Sequence, residues 1–181
     1  GLLLLDTADY AVQDRFFKRL AFFVEKEGFR GRLVTEQEVR GLHGYNAHDY
    51  RAEDLERFFS AADAQGFALN QEEELLRTIL AANGILGGQG AVLSISRESS
   101  EVLRDLLLTH EAFHGLFFTL PRFREACQAV WADLSGPERR FWNLFLDWGS
   151  YDYRDAYLAA NELQAYLFQQ SRAGLNFYFR H

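Results

Sequence analysis

Thr109-His110-Glu111-Ala112-Phe113-His114 lies inside an apolar run with helical spacing, and no other stretch constrains the chain as strongly. Residues four apart share one face of a helix, so His110 and His114 point the same way, about 6 Å apart along its axis. Two imidazoles so placed can grip one ion. Glu111, rotated by about 100°, cannot take the same position but can reach a water bound to that ion. Leu103, Leu106, Leu107, His110, His114 and Phe117 continue one inward stripe, which predicts that both imidazoles face the interior. Ser99 or Ser100 can cap this helix, Glu101 suits its first turn, and Gly115 is expected where it ends or bends.

A second carboxylate answers the first motif. In Ala160-Asn161-Glu162-Leu163-Gln164-Ala165, within a helix expected over residues 155–170, Leu158, Glu162 and Ala165 share one face. A charge among such small and apolar neighbours is costly unless a cation meets it. Ala165 has little bulk, which would let this helix approach the one that carries His110 and His114.

The remaining chain supplies a scaffold. With 181 residues, 48% of them hydrophobic, it can bury one substantial core. The net charge of -7 and the dispersed basic residues argue against nucleic acid or an anionic membrane as main partner. The single cysteine, Cys127, excludes an internal disulfide. No apolar run reaches the roughly 20 residues of a membrane span. The absence of Met predicts a piece of a longer translation product. These features favour a soluble, cytoplasmic chain and leave room for a removed targeting segment; oligomeric state is open.

Local patterning predicts a strand over 2–5, a helix capped by Asp6 or Thr7 and running toward Gly28, and a short strand over 32–35. Residues 41–50, with two glycines and His43, His48 and Asp49, read as a polar loop that could contact substrate or a second metal. Helices are expected over 52–64 and 71–82, a flexible turn over 84–90, a strand over 91–96, and helices over 123–134 and 138–148. Trp131, Phe141, Trp142, Phe145 and Trp148 read as core.

The pattern His110-Glu111-x-x-His114 followed by Glu162-x-x-Ala165, with 47 residues between His114 and Glu162, resembles the gluzincin clan of zinc metallopeptidases. The resemblance implies an α+β, zincin-like single domain over 1–181: a small mixed sheet with helices over 1–98, and a mostly helical part with the metal site over 99–181. It implies Zn2+ held by His110, His114 and Glu162, with Glu111 as general base toward a peptide or protein substrate. Tyr153 is the first choice for the oxyanion-stabilising residue, beside Tyr151, Tyr157 and His48. Asp147 or Asp155 would support a histidine, since Tyr166 occupies the position where some relatives carry an acid. Residues 91–96 would form the edge strand that holds an extended peptide. The alternative is a catalytically inactive zinc-binding domain that binds a partner or senses metal.

Overall fold

The computed structural model describes residues 1–42 and 44–179; His43 lies outside them. The chain is a mixed α/β protein, mostly helical, with one three-stranded sheet. Its elements are β1 (Leu2–Thr7), α1 (Tyr10–Val24), β2 (Ala47–Arg51), α2 (Ala52–Gln65), α3 (Gln71–Ala82), β3 (Ala91–Ser96), α4 (Glu101–Thr119), α5 (Pro121–Asp133), α6 (Gly136–Trp148), α7 (Ala156–Phe168) and α8 (Arg172–Tyr178).

The sheet order is β1-β3-β2, with β1 parallel and β2 antiparallel to β3. Because β3 is paired on both sides and buried at all six residues, it is the centre of the sheet and not the expected edge. The edges of the sheet are β1 and, in a stretch expected to be loop, β2. Its five residues bury alternately against two layers, and the glycines and polar residues before it hide that pattern in the sequence.

Register decides which way β2 aims its side chains. His48 pairs with Ser94 and Tyr50 with Val92, on the face covered by α1, where both rings stack on Phe17. Asp49 pairs with Leu93 on the opposite face, against α4. A strand's period of two thus turns His48 away from α4 and Asp49 toward it.

Two apolar clusters flank this arrangement. Phe17, Leu20, Leu55, Phe58, Leu76 and Leu80 join α1, α2 and α3 over one face of the sheet. Phe117, Trp131, Trp142, Leu146, Ala159 and Leu163 join α4 to α7. Of the five aromatic residues expected in the core, Trp131 and Trp142 are buried and Phe145 is partly so, but Trp148, the last residue of α6, is 84% exposed and Phe141 lies on the rim.

Other boundaries also differ. Asp9, not Asp6 or Thr7, caps α1, because β1 keeps both of those residues in the sheet. Residues 32–35 pair with no strand; Glu38 accepts hydrogen bonds from the Thr35 backbone and hydroxyl and folds the segment into a turn. Gly115 neither ends nor bends α4. A Cβ there would stand 3.0 Å from a methyl of Leu2, so the glycine serves the close approach of α4 to the sheet.

Candidate metal centre

Helix α4 is capped by Ser100, whose hydroxyl accepts from the Leu103 backbone, and it continues unbroken through both histidines. One turn apart and both buried, His110 and His114 bring their Nε2 atoms to 2.9 Å. Helix α7 starts at Asp155, whose carboxylate accepts from the backbone of Tyr157 and Leu158. Its Ala159, Ala160 and Ala165 are fully buried, and such small residues allow it to lie close against its neighbours. Glu162 consequently reaches to 3.7 Å from His110 Nε2 and 3.8 Å from His114 Nε2.

These three groups fit a divalent ion. Four-coordinate zinc with ligands at 2.0–2.2 Å separates its donor atoms by about 3.4 Å, a spacing that the observed distances bracket. His110 Nδ1 lies 2.9 Å from the Gln169 carbonyl oxygen, so it donates there and leaves Nε2 with a bare lone pair. Asp49 Oδ2 stands 3.7 Å from His114 Nδ1 and favours the same tautomer. In that tautomer two lone pairs face each other beside Glu162 Oε2, a buried carboxylate oxygen with no hydrogen-bond partner among the described residues. The three groups could hold a metal ion. Burial lowers both imidazoles to about 4, so they are neutral and able to coordinate near pH 7.

Around these three groups stand Gln169, Asp49 and Asn161, whose side chain lies beside both His114 and Asp49. Asp49, Glu111 and His114 form a second compact acidic group, but it shares His114 with the first. The simpler role for Asp49 is to orient that ring. Asp49→Ala is therefore expected to weaken metal affinity by about 10- to 100-fold, measured by competition with a chromophoric chelator.

His110 opens onto a cleft of about 280 Å³. Its walls include Glu111 from α4, Glu25 from the end of α1, Asp49 from β2, and the phenols of Tyr45 and Tyr151. Burial, and then repulsion from neighbouring carboxylates, raises Glu25, Asp49 and Glu111 well above the usual carboxylate range. Glu162 is raised by burial and pulled back by His114. Four acids in so small a volume cannot all ionise without added positive charge. Tyr45 and Tyr151 are pushed up by burial, so both remain hydroxyl donors at neutral pH. Tyr151 donates to Glu162, whereas the Tyr45 hydroxyl has no hydrogen-bond partner among the described residues.

The other sequence candidates lie elsewhere. Tyr153 sits at the edge of the lower aromatic cluster with the Arg154 guanidinium over its ring, and it does not line the cleft. Tyr157 packs on Phe117 and lines a separate recess of about 580 Å³. His48 faces α1 and bonds Tyr50. Asp147 is exposed, and Asp155 caps α7 and pairs with Arg30, so neither supports a ligand. The sequence does not single out Glu25, Tyr45 and Gln169, and offers Asp49 only as one member of a polar loop, because only tertiary pairing brings them to the site. The signal available for Tyr45 and Asp49 was their place in a stretch rich in groups that bind protons.

Among the described residues no helix is long and apolar enough to cross a membrane. No family model matches the chain, and neither the curated proteins nor the solved structures contain a significant match to it.

Proposed function

We propose that this chain is a zinc-dependent peptidase with a zincin-like fold. The observation that carries the reading is the convergence of His110, His114 and Glu162 beside Glu111, whose buried Oε2 has no partner among the described residues. A divalent ion held there would supply a Lewis acid and lower the pKa of a bound water toward about 7.

The chain's own groups can perform the remaining work. Glu111 Oε2 can accept the proton of the attacking water and return it to the departing amine. The Tyr45 hydroxyl, protonated and unspent, can donate to the carbonyl oxygen as negative charge develops. Tyr151 holds Glu162 in place. The unpaired side of β2 offers main-chain groups to an extended peptide, and Asn46 and Ala47 bring it to the mouth of the cleft.

The test is elemental analysis of the purified chain combined with a quenched fluorogenic peptide library. One zinc per chain and cleavage of a subset of peptides are expected. Zinc without cleavage would favour the alternative of an inactive domain that binds a partner or senses metal, and absence of zinc at neutral pH would remove both readings. Tyr45→Phe is expected to lower kcat by about 10²- to 10³-fold with zinc content unchanged. A normal kcat in that variant would take Tyr45 out of the chemistry.

A further inference from the structure

Glu25 has no place in the mechanism above, yet its carboxylate is held at the reaction site. Helix α1 ends at Val24, Lys26 then pairs with Tyr151 as an isolated antiparallel bridge, and Arg30 is fixed by Asp152 and Asp155. These ties leave Glu25 facing the cleft that holds His110 and Glu111. The residue is only 6% exposed. Among the described residues no hydrogen bond or ion pair reaches its carboxylate.

An unpaired carboxylate at this depth is costly, and the neighbouring cations are committed. Arg30 bonds Asp152 and Asp155, and the Lys26 ammonium lies 3.6 Å from the centroid of the Tyr45 ring, in the wall of a different recess. The other acids of the cleft have work already: Glu162 as ligand, Glu111 as base, Asp49 against His114. Lys26 and Arg30 act on Glu25 only through space, and neither bonds its carboxylate. The small size of the cleft brings any group that meets Glu25 close to the scissile bond.

We propose that Glu25 is a specificity residue that receives a primary ammonium group of the substrate, either the free amino terminus or a lysine side chain beside the scissile bond. This rests on the peptidase reading of the same cleft. An ammonium offers three donors to a carboxylate, and a charge-assisted bond there excludes neutral substrates by leaving Glu25 unpaired when they bind.

The test uses zinc-loaded protein and two pairs of hydroxamates, which anchor on the metal without being turned over, followed by calorimetry near pH 7. Leucine hydroxamate is compared with its N-acetyl form, and N-acetyl-lysine hydroxamate with N-acetyl-norleucine hydroxamate. The wild type is expected to prefer the ammonium-bearing member of one pair by about 10- to 100-fold, and the pair identifies the source of the ammonium. In Glu25→Gln the two members should bind within about 2-fold of each other. Equal binding in the wild type overturns the inference and leaves the peptidase reading standing. A preference that survives Glu25→Gln moves the recognition to another acid, and a second equivalent of zinc lost in that variant makes Glu25 a metal ligand; either overturns it. If no hydroxamate binds zinc-loaded protein, the metal-centre reading fails and the inference fails with it.

Discussion

Glu111→Gln is expected to retain one zinc per chain and to hydrolyse the best library peptide about 10²- to 10⁴-fold more slowly than the wild type. The substitution keeps the shape of the side chain and removes its ability to accept a proton. Glu111 is not needed to close the set formed by His110, His114 and Glu162, so metal content should not move. Replacing a buried carboxylate that repels Glu162 and Glu25 should also relieve the metal-free fold, so poor folding is not the expected cause of lost turnover. The loss should fall on kcat with KM little changed, because the proton is transferred in the transition state and not on binding. Turnover within a few-fold of wild type would show that another group takes the proton, and Asp49, which lies in the same acidic cluster, would be the next to replace.

What could be read from the sequence is the part of the site built by helical periodicity. A spacing of four fixes His110 and His114 on one face of α4 whatever surrounds them. The small residues of α7 anticipate that Glu162 can come close to that face, and the structure places it within 4 Å of both rings. The upper wall was hidden for a physical reason. Asp49 reaches His114 only because β2 pairs with β3 in one register, and a slip of one residue would present His48 instead. Five residues preceded by glycines carry too little alternation to reveal such a strand. The choice among tyrosines fails for a similar reason: Tyr151 and Tyr153 differ by two positions, and the turn after α6 directs Tyr151 alone into the cleft.

Withdrawing the ion should have the largest effect on stability. A ligand at about 1,000 times its dissociation constant stabilises the folded state by about 4 kcal/mol, and a chain of this size gains about 2–4 °C in Tm per kcal/mol. Chelation of the zinc-loaded chain is thus expected to lower Tm by about 8–16 °C, read by calorimetry, and readdition of zinc should restore it. His114→Ala should abolish the response to zinc. The effect should also grow as pH rises beyond the range in which the histidines titrate. In the metal-free chain burial raises Glu25, Asp49 and Glu111, so the folded form holds their protons more tightly than the unfolded form. Their stabilising contribution is complete below the unfolded values of about 4 and is lost as pH climbs through the folded ones. The histidines act in the opposite sense: lowered to about 4 from 6.5, their contribution is present above 6.5 and disappears as pH falls toward 4. Once the histidines are neutral, each proton that the raised carboxyls release makes the metal-free cleft more repulsive and the ion more strongly held. A Tm difference between loaded and chelated protein that shrinks over this interval would mean that the acids of the cleft are neutralised by something other than the metal.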